Sequence, residues 1–256
     1  MANLLKLALG AAIMVGASPA SGHDFFLLPD QFTAPGAGVQ NLKASVGSSF
    51  PKPENVVAAD RVDRLFAAGA GKPQLSVGTA GENALNLRLT GAARGTVVAA
   101  VKTKDRDVEY AEDRIPLILE EYRVSSEAVA AIGRLPKPQV LKVNSRRFAK
   151  TLVCIQVCGA RTVAARPLGA DLEFVASGAN ADRFRLLSLG QPLPDYPVDL
   201  VSGDGKRRHL KTDGKGELHV PTDAKGSLML FAAVMTPPAG SERFTLNLST
   251  LTFARP

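Results

Sequence analysis

Five side chains have the types to do metal or redox chemistry: His23, His209, His219, Cys154 and Cys158. His23 follows Met1 to Gly22, a segment with one lysine at position 6, an apolar stretch from Leu7 to Ala17 and then small residues. That pattern reads as a secretory signal peptide. Cleavage after Gly22 leaves His23 as residue one, whereas cleavage after Ala20 leaves Ser21. A terminal histidine offers its α-amino nitrogen and its imidazole as one chelate, a pair suited to copper or nickel. The amine, with a reference pKa of about 7.7–8.0, must first give up its proton to the competing metal. The plainer reading is a histidine flanking an ordered first strand.

His209 and His219 stand at the two ends of His-Leu-Lys-Thr-Asp-Gly-Lys-Gly-Glu-Leu-His, which reads as a β-hairpin centred on Asp213 to Gly216. An odd-length loop centred on Gly214 pairs Leu210 with Leu218, Lys211 with Glu217, and His209 with His219; an even loop puts the histidines on opposite faces. The odd register matches apolar with apolar and opposite charges with each other. It brings the two imidazoles within about 5 Å at Cβ, close enough to share one metal. Set against this, the histidines share their face with Lys211 and Glu217, as on an exposed polar face. If His23 folded onto this hairpin, the three would make a nitrogen-rich brace.

The cysteines lie in Leu152-Val-Cys-Ile-Gln-Val-Cys158, which reads as a strand. Four strand residues span about 13 Å, against a Cα separation of at most about 7 Å for a disulfide. A bridge therefore requires a helix or sharp bend there, although a secreted chain meets an oxidising compartment. The strand reading favours free or intermolecularly paired thiols, with a thiolate metal site as a third option.

No Gly-x-Ser-x-Gly elbow, His-Glu-x-x-His, phosphate-cradling loop or dinucleotide fingerprint occurs, and no nucleophile is paired with a base. We expect no enzyme. Glu120 and Glu121 are adjacent on a helix and point different ways, and Asp213 and Asp223 belong to Gly-containing turns.

Most of the chain after the signal reads as short strands punctuated by Gly, Pro and Asp: 41–46, 84–89, 96–101, 152–157, 171–175, 198–201, 227–235 and 244–253. Residues 84–89 and 244–248 alternate polar and apolar, as half-buried antiparallel strands do. Between Glu112 and Arg134 the period lengthens. Pro116 suits a first helical turn, and Ser125 can cap a second helix that stops at Gly133. Pro-Lys-Pro near 136–144 marks a boundary. The reading is mainly β: a signal peptide at 1–22, a β-sandwich lobe at 23–109, a helical insertion and linker at 110–144, and a second β-sandwich lobe at 145–256.

The 256 residues are 45% hydrophobic and 21% charged, so neither a disordered chain nor, with two cysteines, a disulfide framework fits. Losing Lys6 with the signal leaves 30 Lys+Arg against 24 Asp+Glu, a net charge of +6 without a dense basic block. That serves solubility rather than nucleic-acid binding. No apolar stretch approaches the roughly 20 residues of a membrane-spanning helix. With no Trp and 3 Tyr, few platforms remain for stacking sugars.

His23-Asp-Phe-Phe-Leu-Leu-Pro29 resembles the mature start of a family of secreted bacterial proteins of unknown function. That family is related to the substrate-recognition component of nickel and cobalt uptake (NikM-like). The resemblance continues through Ala34-Pro-Gly36, Val46 to Phe50, the 95–101 strand and the helical 110–132 stretch. It then takes in Ser145-Arg-Arg-Phe-Ala-Lys150, Arg166 to Glu173, Leu189-Gly-Gln-Pro192 and Thr212 to Gly216. Phe26 stands where Trp is usual, and Ala232-Ala-Val-Met235 where the family's strand ends in His-Met. The resemblance implies a periplasmic two-part β protein with a transition-metal connection. Combined with the readings above, the expectation is a non-enzymatic protein of two Ig-like or carboxypeptidase-regulatory-like lobes that binds nickel, cobalt or copper, with His23, His209 and His219 as candidate ligands. Its expected partner is a transporter or an outer-membrane receptor. The competing expectation is a metal-independent interaction module accessory to such a receptor.

Overall fold

The computed structural model describes residues 24–158, 161–178, 182–240 and 242–255; the expected signal segment and His23 lie outside them. The chain is mainly β. In order, it forms β1 (Asp24–Pro29), β2 (Thr33–Ala34), β3 (Gln40–Gly47), β4 (Asn55–Val56), β5 (Val62–Ala80), β6 (Leu85–Thr103) and β7 (Arg106–Ala111). Helices α1 (Ile115–Tyr122) and α2 (Ser126–Gly133) come next, then β8 (Val140–Ile155), β9 (Leu172–Ala176), β10 (Arg183–Ser188) and β11 (Gln191–Pro192). The chain closes with β12 (Pro197–Ser202), β13 (Arg207–Lys211), β14 (Glu217–His219), β15 (Gly226–Thr236) and β16 (Phe244–Arg255).

Twelve strands make one sheet, whose main path runs β1-β3-β6-β8-β16-β15-β12-β13 with β2, β4, β5 and β7 at its sides. β9, β10, β11 and β14 make a second, four-stranded sheet. The boundary expected near Pro136–Asn144 falls at the start of β8, and the large sheet continues across it: β8 pairs antiparallel with β6 on one side and parallel with β16 on the other.

The apolar run Val97-Val-Ala-Ala-Val101 explains why β6 lies at the centre. A strand buried on one face alternates, whereas one buried on both reads as a continuous hydrophobic run. Val98, with Leu152 of β8, faces a core shared with Phe174, Phe184, Leu200, Leu230 and Phe253, between the two sheets. Val97, Ala99 and Val101, with Ala149 and Val153, face a second core containing Phe25, Leu42, Leu85 and Leu87. The alternation read in 84–89 holds: Leu85, Leu87 and Leu89 are buried, while Asn86 is intermediate and Arg88 exposed.

The helical insertion forms as its punctuation predicts. Pro116 sits in the first turn of α1, and the Ser125 hydroxyl accepts the Ala128 N–H at 3.3 Å to cap α2. Ile115, Ile118, Tyr122, Ala128 and Ile132 pack onto Leu141, Val143, Phe231, Ala233 and Leu246, roofing part of the large sheet. α1 ends at Arg123, which adopts φ 48°, ψ 44°. A non-glycine residue is uncommon in this left-handed region.

β1 is tied to the last strand by side chains. Thr250 Oγ1 donates to the Phe25 carbonyl at 2.6 Å and Thr252 Oγ1 to that of Leu27 at 2.5 Å. Between β5 and β6 the ladder shifts at Gly71 (φ +86°) and Gly91 (φ +69°). A Cβ at Gly91 would lie 2.3 Å from the Lys72 carbonyl oxygen, so glycine is required there.

The cysteine expectation is corrected. Cys154 and Cys158 form a disulfide with Cα atoms 4.9 Å apart. β8 stops at Ile155, and Gln156 takes φ 63°, the sharp bend that a straight strand reading through Val157 excluded.

Candidate functional site

Apolar strands that carry one isolated charge locate the site. Asp199 interrupts Val198-Asp-Leu-Val201 on β12, and its side chain is 4% exposed. A carboxylate so buried must be paired. Its Oδ2 accepts from Arg207 Nη1 at 2.9 Å, while its Oδ1 accepts from Arg123 Nη1 at 2.7 Å and lies 2.8 Å from His209 Nδ1. Arg207 forks, its Nη2 donating at 2.6 Å to Asp24 Oδ2 at the start of β1, and its guanidinium lies 5.5 Å from the centre of the Phe231 ring.

Four parts of the chain thus meet: β1 through Asp24, the left-handed cap of α1 through Arg123, β12 through Asp199, and β13 through Arg207 and His209. The strand register sets the last pairing, since His209 lies directly opposite Asp199. The His209 side chain is 63% exposed. If Nδ1–H donates to Asp199, the lone pair on Nε2 faces outward. This carboxylate–imidazole arrangement orients metal-bound histidines and also suits proton transfer.

Electrostatics divide the two acids. Burial raises the Asp199 pKa, but the hydrogen bonds from His209, Arg207 and Arg123 outweigh it and hold the group below the ordinary aspartate value. Asp24 has Arg207 against a larger burial cost and is pushed up to about 6 from 3.8. Glu121 on α1 rises to about 7, through burial and then the nearby Asp24 charge.

Because Asp24 holds its proton more tightly folded than unfolded, its contribution to stability is greatest in acid and declines as pH rises through about 4 to 6. A rise from 3.8 to about 6 corresponds to about 3 kcal/mol. Asp24→Asn is therefore expected to gain about that much stability relative to the parent between about pH 3.5 and about pH 7.5, read from urea midpoints across that range. A difference that does not vary with pH would show that Arg207 cancels the burial cost.

The histidines do not converge as the hairpin register predicts. The turn at Asp213–Gly216 is present, with Asp213 Oδ1 accepting the N–H groups of Lys215 at 2.8 Å and Glu217 at 2.9 Å. Its two arms then enter different sheets. β13 pairs with β12 in the large sheet, while β14 pairs with β10 in the small one, where exposed His219 lies opposite Arg183. Glu217 consequently binds Arg185 and Ser177 rather than Lys211, which meets Asp195 at 3.0 Å. Among the described residues, no group of three or more His, Cys, Asp and Glu side chains is placed to hold a metal ion.

Asp24, Arg123, Asp199 and Arg207 escaped the sequence reading. The lone acid inside the β12 run was a usable signal for Asp199. Nothing local marks Arg207 as the partner of a residue 183 positions away.

Residues 20–236 match the family described as "Domain of unknown function (DUF4198)". The chain belongs to this family. The DUF4198 span holds the whole Asp24–Arg207–Asp199–His209 cluster, together with a second buried ion pair, Lys150–Glu173, with side chains 2% and 1% exposed. That pair fastens β8 of the large sheet to β9 of the small one. Lys150 Nζ also donates to the Phe174 carbonyl at 2.8 Å, and the Glu173 carboxylate accepts the N–H groups of Leu168 at 2.9 Å and Gly169 at 3.1 Å. No curated protein and no solved structure matches the chain. Among the described residues, no helix is long and apolar enough to cross a membrane.

Proposed function

We propose that this DUF4198 protein is a periplasmic, non-enzymatic carrier of nickel, cobalt or copper, accessory to metal uptake and related to the NikM-like components. In this reading its two sheets are the layers of Ig-like sandwich lobes, its partner is a transporter or an outer-membrane receptor, and the metal is cargo. The observation that carries it is the Asp199–His209 pair, bonded through Arg207 to Asp24, the residue that follows His23. Cleavage after Gly22 would leave one peptide unit between Asp24 and the chain's amine. His209 Nε2 is the donor offered by the described residues, and the amine and imidazole of His23 complete the set. His219, on the other sheet, is not among the ligands we favour.

The test is the intact mass of the secreted protein, followed by copper and nickel titration. A chain beginning at His23 with one bound metal is expected, and Asp199→Asn should weaken binding by about 10- to 100-fold, as loss of a ligand-orienting partner does. A mature chain beginning at Ser21, or one beginning at His23 that takes up no stoichiometric metal, would overturn the reading.

The second reading, a metal-independent interaction module, draws on the two arginines that neutralise Asp24 and Asp199 and oppose a dication. Recovery of a membrane partner irrespective of chelator, without metal uptake, would favour it.

A further inference from the structure

A groove of about 540 Å³ has Phe25 in its wall. Its walls are Phe25 of β1, Val46 of β3, residues 55–58, Val108 of β7, Thr103 at the end of β6 and Ser145 within β8. Three arginines line it, Arg61, Arg106 and Arg147, and no carboxylate does. The size is that of a small-molecule site, mostly apolar with a few convergent polar groups.

Arg147 lies in the field of Asp24 and Glu121, neither of which lines the groove. Asp63 pairs with Lys102, Asp105 with Arg146, and Asp107 with Arg243. Arg61 Nη2 donates to the neutral Lys104 carbonyl at 2.7 Å, and neither Arg61 nor Arg106 forms an ion pair among the described residues. Positive charge therefore concentrates over an apolar floor, where low-dielectric walls strengthen its attraction for an anion.

We propose that this groove binds a small amphiphilic carboxylate, its alkyl or aryl body on Phe25, Val46, Val57 and Val108 and its head group held by Arg61 and Arg106. The guanidinium fork matches a planar carboxylate with two parallel hydrogen bonds. This site shares no residue with the proposed metal ligands, so either can fail without the other.

Dodecanoate, dodecanol and inorganic phosphate serve as probes of the full secreted protein by titration calorimetry. Dodecanoate should bind one to one, dodecanol at least tenfold more weakly, and phosphate not detectably. Arg106 is exposed, so Arg106→Gln should leave the thermal midpoint unchanged while weakening dodecanoate about tenfold and leaving dodecanol unaffected. Val108→Glu should abolish dodecanoate binding by setting a carboxylate among the walls. The proposal falls if dodecanoate does not bind, or binds Arg61→Gln/Arg106→Gln as tightly as the parent. It falls equally if phosphate alone binds as well as dodecanoate, or if retention requires anionic lipid vesicles.

Discussion

Lys150→Met is expected to lower the stability of the chain by about 3–5 kcal/mol, the range for removing one partner of a buried ion pair. The methionine fills nearly the same space, so the loss is electrostatic. Glu173, 1% exposed, keeps its charge and its backbone donors at 168 and 169, but the cation that offset its desolvation is gone. Because Lys150 stands on β8 and Glu173 on β9, the damage falls where the two sheets meet. The double variant Lys150→Met/Glu173→Gln should recover part of the loss, since a neutral amide oxygen still accepts the loop N–H groups. Urea midpoints of the parent, the single and the double variant measure this. A single-variant loss below about 1 kcal/mol would mean that water reaches Glu173.

Asp199→Ala should also be damaging, by about 1–3 kcal/mol, because Arg123 and His209 lose their shared acceptor while both stay partly open to water. Arg207 retains Asp24, so the fold at β1 survives, but Arg123 loses the acceptor that accompanies its left-handed backbone. Arg123→Ala should cost less: Asp199 then still accepts from Arg207 and faces His209, and the deleted side chain was 31% exposed. The local readout is the imidazole NMR signal of His209, which should shift once Asp199 is removed. Equal losses from both variants would show that the cluster works only as a unit.

These two sites also show what the sequence could disclose. The strand runs at 84–89, 96–101, 198–201 and 227–235 and both helices were legible, because periodicity and caps are local. Glu173 and Asp199 were legible in a weaker sense, each a single charge inside an apolar strand, whereas Lys150 shares β8 with Lys142, Arg146 and Arg147 and does not stand out; the sequence pairs none of the three with its partner. The histidine register failed for a definite reason. Leu210 and Leu218 look like cross-strand partners, yet Leu210 lies opposite Val198 and Leu218 opposite Phe184, so each arm of the turn satisfies its apolar residue on a different sheet. Parity arguments assume that both arms stay in one ladder. The cysteines failed similarly, because one residue with positive φ turned a 13 Å strand reach (about 3.3 Å per residue) into a closed loop.

The threonine clasps from β16 to β1 also bear on how the chain comes to be folded. Thr250 and Thr252 hold the carbonyls of residues 225 positions earlier, and closing so long a loop must precede any reward from the contact. Topologies dominated by such distant pairings fold in milliseconds to seconds rather than microseconds. Asp24 rides on β1, and β16 stands between β8 and β15 in the large sheet, so the ladder that joins β1 to the β12 and β13 side of the cluster runs through β16. Without β16 both that ladder and the two clasps on β1 are lost, so a single strand carries the link between the cluster's distant parts.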